Sequence, residues 1–437
     1  MLQRVLIVLF ILLIVPDTYI YYVYVRKWTS VWWKRALYFL PSLLLLTYLI
    51  IVLAQDDYRA PHQPMVGTLM IVFLLVTTPK MLFTLFDAIG AGSGKLKARL
   101  KSDREYTEEE MEKKTQQGKV LWRYMRLFAM ALALCSALII LYGYFWGRNR
   151  YQVNQQEIYF EALPDSFDGY RILHFSDLHI GTFADGHQDD VSTIVDLINR
   201  QNCDMVVFTG DVVNYESAEL NGYDQVLSKL HAPDGVYSVM GNHDYDMYLH
   251  FQSEKEKMAD IEIIKSKERE YGWRLLLNEN VVLHRGNDSI ALLGSENDGL
   301  PPWPALGDIP KMTEGLTGVR QKKNTENDSI ATPPEHTFSI LLTHDPTHWR
   351  RNIIPETNID LTLAGHTHAG QLKIFGWSPI WKTYSEWSGV YTEGFQVLNV
   401  TDGIGNIMIP FRFGAWPELD IITLKKLKQR HSNPEGI

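Results

Sequence analysis

Cysteine is almost missing. Cys135 and Cys203 are the only two in 437 residues, and neither has a neighbour at the spacing of a zinc or redox motif. That argues against thiolate metal clusters and a disulfide-stapled scaffold, and predicts two buried free thiols. Basic residues are scarce in one half. Residues 151–437 hold 23 Lys+Arg against 41 Asp+Glu, a net charge of −18. A surface of that sign grips phosphate backbones poorly, so no nucleic-acid partner is expected. Residues 1–150 are the opposite, with 19 Lys+Arg and 10 Asp+Glu for a net of +9. Two differently built halves therefore meet near residue 150.

The first half holds four long apolar segments, at about 5–25, 36–54, 65–86 and 127–146. A bilayer core of about 30 Å needs about 20 helical residues, so each is long enough to span it. The first is too long for a signal peptide and lacks a small-residue cleavage site. The basic loop 91–126 and its flanks hold ten Lys and Arg, and the first loop holds Arg26, Lys27, Lys34 and Arg35. Loops of that kind face the cytoplasm. The expectation is a multi-pass protein of the cell (inner or plasma) membrane, with residues 151–437 on the extracytoplasmic side. Asp17 and Lys80 fall inside spans and are read as snorkelling or boundary charges rather than an ion path. The run Asp103–Lys119 reads as a solvated charged face.

From Tyr170 onward, short β-branched runs alternate with helical stretches, the pattern of an α/β domain. Five strand candidates each end in a residue able to bind metal. "YRILHF" leads into "SDLHIG", "CDMVVF" into "TGDVVN" and "GVYSVM" into "GNHD". "TFSILL" leads into "THDP", and "IDLTL" into "AGHTHAG". The ligand candidates are Asp177, His179, Asp211, Asn242, His344, His366 and His368. Sites in α/β sheets collect outside the carboxyl ends of strands. Carboxylates, an amide oxygen and imidazoles suit manganese, iron or zinc rather than a thiolate site or an all-oxygen calcium cage. Seven ligands are too many for one small cation. Two divalent metal ions sharing a carboxylate would use them all, with Mn²⁺ favoured and Fe or Zn²⁺ possible.

The five blocks, in this order, resemble the signature of the calcineurin-like metallophosphoesterases. The closest branch in the ending "GHTHAGQ … IPFRFGAWPELDIITL" is the membrane-bound or exported bacterial one similar to UDP-2,3-diacylglucosamine diphosphatase-like phosphoesterases. The resemblance covers roughly Tyr170 to Leu424. It implies a four-layer α/β sandwich, two mixed β-sheets flanked by helices, behind a bundle of about four transmembrane helices. It also implies that Asp177, His179 and His368 hold one metal, that Asn242, His344 and His366 hold the other, and that Asp211 bridges them. His243 would face the substrate, with Asp244 orienting it. Two departures stand out: "GDVVN" lacks a further charged residue, and Ala369 replaces a glycine after the last histidine.

The activity so implied is metal-dependent hydrolysis of a phosphoester or pyrophosphate bond by a metal-bridging hydroxide, with His243 as general acid. The expected partners are the bilayer and a phosphate-containing substrate, for instance a lipid. The aromatic stretch 375–395 and Trp303 would form an apolar lip or pack onto the sandwich. The alternatives are a non-catalytic membrane sensor or scaffold, and a phosphodiesterase or nucleotidase acting on soluble substrates. Oligomeric state is not legible. Residues 317–336 read as a polar insertion.

Overall fold

The computed structural model describes residues 2–54, 63–99, 107–183, 188–245, 248–319 and 336–427. They fall into two compact units, Met1–Asp57 with Met65–Phe145, and Tyr58–Pro64 with Trp146–Ile437. Most of the polar insertion expected at 317–336 lies outside the described residues.

The first unit is helical. Its helices are Leu2–Ile20, carried on by a wide turn at Tyr21–Val25 to Trp28, then Trp32–Ala54, Gln63–Arg99 and Glu108–Phe145. All four are long and apolar enough to cross a membrane, at Leu9–Trp28, Trp32–Val52, Met65–Gly92 and Gln116–Asn149. Pro79 does not break the third helix, as neighbouring helices in a bundle can satisfy the freed backbone groups. Cys135 is exposed on its helix rather than buried, and both thiols are free.

The intramembrane charges do not snorkel. Lys80 Nζ lies 2.7 Å from Asp17 Oδ1 and donates to Ser42 Oγ at 2.9 Å. Tyr38 OH also reaches Asp17 Oδ1 at 3.3 Å, and Asp17 is only 1% exposed. A second carboxylate, Asp87, accepts from Tyr19, Tyr24 and Trp122, so it ties three helices together. A lone charge in hydrocarbon is expensive, and the fold meets that cost by pairing. Lys80→Met leaves Asp17 unpaired and should lower the thermal midpoint of the detergent-solubilised protein, by about 3 kcal/mol in free energy. The double variant Asp17→Asn/Lys80→Met should recover most of the loss. A single variant as stable as the parent would show that the pair contributes nothing.

The described residues of the second unit form twelve strands. They are β1 (Gln152–Phe160), β2 (Arg171–Phe175), β3 (Met205–Phe208), β4 (Val236–Ser238), β5 (Arg274–Leu275), β6 (Glu279–Arg285), β7 (Asp288–Gly294), β8 (Ser339–Leu342), β9 (Leu361–Ala364), β10 (Gly389–Glu393), β11 (Gln396–Val400) and β12 (Glu418–Lys426). One sheet runs β1-β12-β2-β3-β4-β5 and the other β10-β11-β9-β8-β7-β6. Both are mixed: β12 meets β2 antiparallel, as β10 meets β11 and β6 meets β7, while the remaining pairs are parallel.

Period-2 alternation sorts the apolar runs into layers. Ile172, Met205 and Val207 face inward, with Leu292, Ile340, Leu342, Leu361 and Leu363 of the other sheet. Leu173, Phe175, Val206 and Phe208 face outward, with Val191, Ile194 and Ile198 of helix Gln188–Asn199 and Ile261 and Ile264 of helix Glu254–Glu270. On the far side, Leu293, Leu341 and Leu398 pack with Met312, Trp349 and Ile353. The result is helix, sheet, sheet, helix. Helix Glu254–Glu270 is capped by Ser253, whose side chain accepts from Glu256 N. The segment 223–231 is helical only at Asp224–Leu227.

Glu268 of that helix is buried against β4 and accepts from Ser238 Oγ. Burial, reinforced by Asp244, pushes its carboxyl up to about 8. The unfolded chain ionises this group near pH 4.5 while the folded chain holds its proton, so stability falls as pH rises between those values. Glu268→Gln should therefore raise the thermal midpoint at pH 8 and change it little at pH 4.5. Equal effects at both pH values would refute the assignment.

Candidate metal centre

The carboxyl ends of β2, β3, β4, β8 and β9 bring all seven ligand candidates together with His243. The approach is close. A Cβ on Gly241 would collide with the Asp211 carboxylate, and one on Gly365 with Ser176 and the Asp177 carboxylate, which is why glycine precedes Asn242 and His366. Asp177, His179, Asp211, His366 and His368 all have left-handed backbones, with φ between 45° and 73°. Each such turn costs about 1–2 kcal/mol outside glycine. Strain of this kind gathers where surrounding structure holds a side chain against its local preference. Here the holding is visible: Asp177 N donates to Gly210 O, and His179 N to Asp211 O.

Ring orientations are set from behind. His179 Nδ1 donates to Val213 O at 3.2 Å and His344 Nδ1 to Thr209 O at 2.7 Å. A carbonyl only accepts, so both Nδ1 atoms carry the proton and both Nε2 lone pairs face the site. His179 Nε2 lies 3.0 Å from His368 Nε2, and His368 Nε2 lies 3.2 Å from Asp177 Oδ1. His344 Nε2 lies 3.2 Å from His366 Nδ1 and 3.1 Å from Asp211 Oδ2. Among the described residues, three groups have ligand atoms within 4.8 Å of one another: Asp177, His179 and His368; His179, Asp211 and His243; and Asp211, His344 and His366. Asp211 and His179 each belong to two of them. Asn242 is 2% exposed, and its Oδ1 has no hydrogen-bond partner, while its Nδ2 donates to Tyr248 OH. A buried amide oxygen without a partner beside converging imidazole lone pairs fits a hard or borderline cation.

The role expected for Asp244 needs correction. Its carboxylate does not touch the His243 ring. It accepts from Asp211 N, Val212 N, Val213 N and Gly241 N at 2.7–3.2 Å, so it pins the loop that carries Asp211. The His243 ring is instead oriented by Asn214, whose carbonyl accepts from Nδ1 at 2.6 Å. That leaves Nε2 outside this hydrogen bond. Spacing alone put Asp244 next to His243, but the short helical turn His243–Tyr245 sends the two side chains apart.

The comparisons with known proteins bear on this geometry. Residues 170–370 match the model of the "Calcineurin-like phosphoesterase" family, and residues 3–148 match "Probable Calcineurin-like phosphoesterase, transmembrane domain". The chain joins a phosphoesterase transmembrane domain to a calcineurin-like metallophosphoesterase domain. The Bacillus subtilis "Uncharacterized metallophosphoesterase YkuE" is 27% identical over 65% of this chain and 90% of its own length. The zebrafish (Danio rerio) "Transmembrane protein with metallophosphoesterase domain" is 28% identical over 67% of this chain, which spans 62% of that relative's length. An Aquifex aeolicus "Uncharacterized metallophosphoesterase" is 27% identical over 63% of this chain and 92% of its own. Among solved structures, the Mycobacterium tuberculosis phosphopantetheinyl hydrolase PptH aligns at a TM-score of 0.30 and 11% identity, covering 55% of this chain and 90% of that one.

The electrostatics of the metallophosphoesterase site follow from burial and mutual proximity. Burial pulls the His344 imidazole down, but Asp211 and Asp177 outweigh it and push it up to about 10. Burial raises the Asp211 carboxyl, and the imidazoles of His344, His243 and His179 overcome this and hold it below the usual range. A bound cation would take the place that protons on these groups fill.

Four residues at the site were not singled out as site residues from sequence. Arg412 is fully buried, donates to the carbonyls of Asp402 and Gly405, and meets His368 Nδ1 at 2.9 Å. Asp345 has a buried Oδ2 without a hydrogen-bond partner, 3.8 Å from His366 Nε2. Tyr384 OH meets His366 Nε2 at 2.7 Å. Tyr248 stacks on His243 at 4.2 Å, and Trp303 Nε1 donates to its hydroxyl at 2.7 Å. The signal for Asp345 stood in "THDP", directly after a ligand. Tyr384 lay within the aromatic stretch 375–395 and Arg412 within the quoted ending, and no local pattern marks Tyr248.

Proposed function

We propose that the chain is a membrane-anchored phosphoesterase that uses two divalent cations to hydrolyse a phosphoester or pyrophosphate bond of a lipid-linked or membrane-associated substrate. The observation that carries this reading is the Asp211 carboxylate, whose Oδ2 lies 3.7 Å from His179 Nε2 and 3.1 Å from His344 Nε2. Asp177, His179 and His368 would hold one cation, and Asn242, His344 and His366 the other, with Asp211 common to both. When bound, the two cations supply Lewis acidity that acidifies a water and offsets phosphoryl charge. His243 Nε2 would carry the proton to the leaving oxygen, because its Nδ1–H is committed to Asn214. Asp244 would hold the Asp211 loop in its strained form. The basic loop 91–126 supports an extracytoplasmic catalytic domain on the cell membrane.

The test is turnover of a lipid-linked diphosphate and of a soluble diphosphate by the purified full chain, after EDTA treatment and again after Mn²⁺ or Zn²⁺ is restored. Metal-restored activity that is greater on the lipid substrate is the expected result. Chelator-resistant hydrolysis would end the metal assignment, and preference for the soluble substrate would end the lipid one.

A further inference from the structure

The loop that leaves the metal ligands runs straight into an exposed aromatic hairpin. After His366–Gln371 the chain pairs Leu372 with Phe413, and Lys373 N donates to Phe413 O. It then turns tightly, with Ile374 and Trp377 exchanging backbone hydrogen bonds across Phe375 and Gly376. Both tip residues are left-handed, with φ of 50° and 78°. Such turns favour Asn, Asp and Gly. A bulky ring at a positive φ is unusual, and this one packs on nothing: Phe375 is fully exposed at 105%. Trp377 and Trp381 are each about half exposed, and Met408 on the neighbouring loop is exposed as well. A run of exposed aromatics on an otherwise acidic domain calls for an apolar partner.

The same part of the fold packs against the first residues of the second unit. Gly147 sits against the Arg412 backbone and the Trp416 ring, and the Arg150 guanidinium lies over Trp416 at 4.7 Å. The 412–416 segment is the one hydrogen-bonded to Lys373. Residues Gly147–Arg150 and the hairpin therefore both meet the segment 412–416. From Leu372 the tip is within about 10 Å. The exposed cations Arg150 and Lys382 flank this surface, the usual setting for headgroup contact.

We infer that the hairpin Lys373–Lys382 inserts Phe375, Trp377 and Trp381 into the bilayer. The metal centre then opens at headgroup level, to phosphates presented by the membrane. This rests on the phosphoesterase reading for its substrate but not for its geometry, and two measurements separate them. In a variant with Cys135 and Cys203 replaced by Ser and Phe375 by Cys, a nitroxide at position 375 in proteoliposomes should be more accessible to oxygen than to a nickel chelate. The reverse order would overturn the insertion whatever the activity. In the second, Phe375→Asp should reduce turnover of a phosphodiester lipid in vesicles by about tenfold, chiefly through KM. It should spare a soluble phosphodiester, and Phe375→Trp should retain both activities. Equal loss on both substrates, or no loss on either, would also overturn it. A parent protein inactive on both substrates, with a lipid-exposed nitroxide, would instead refute the phosphoesterase reading alone.

Discussion

Asp211→Asn should abolish hydrolysis of a generic phosphodiester and strip metal from the protein. The substitution keeps the shape and the oxygen that accepts from His243 N, so the fold should stand. What it removes is the one carboxylate charge common to two ligand groups. That charge also holds the His344 proton, so the variant loses the attraction that favours a cation at either position. A loss of about a thousandfold or more is expected, since one electrostatic contact in such sites is already worth about 10²–10³. Elemental analysis of the purified protein should show fewer than the two cations expected per chain of the parent. A variant that retains two cations and full turnover would eliminate Asp211 as the shared ligand. Circular dichroism at matched concentration separates this from misfolding.

His243→Gln should act differently. The ring stacks on Tyr248 and donates to Asn214 O, but its Nε2 is free of backbone partners. Metal content should therefore stay at the parent value while turnover falls by about 10²–10⁴-fold, the range for a lost general acid. The loss should depend on the leaving group. A p-nitrophenolate departs without a proton and should suffer least, whereas an alkoxide should suffer most. Equal losses across leaving groups would assign His243 to positioning rather than proton transfer. Coincident loss of metal would place it among the ligands, which its grouping with His179 and Asp211 makes worth checking.

The two variants ask separate questions because the structure gives the two side chains separate supports. Asp211 stands on a strained loop that Asp244 grips through three consecutive N–H groups, whereas His243 is aimed by a single carbonyl. The membrane unit follows the same logic on a larger scale. Asp17 and Asp87 are each buried among partners from other helices, so the bundle contains polar locks that no single helix could satisfy.

Much of this was written in local pattern. Four apolar segments of spanning length, a basic loop before the last and five apolar runs each ending in a ligand are one-dimensional signals, because each depends on residues close in sequence. Burial of strands on both faces turns them into plain apolar runs, and β2, β3, β8 and β9 were legible for that reason. By the same reasoning β1 was not: it lies at a sheet edge, and "QVNQQEIYF" is half polar. Tertiary structure alone decided the rest. It paired Lys80 with Asp17, 63 residues away. It drew Arg412 under His368 from 44 residues away. It turned Asp244 from its neighbour toward the backbone of residues 211–213, and it left Phe375 fully exposed at a hairpin tip. Sequence determines which groups can bind a cation or enter a bilayer, since that is a property of side-chain chemistry. Which of them meet is set by packing between distant segments, where burial penalises every polar group that finds no partner.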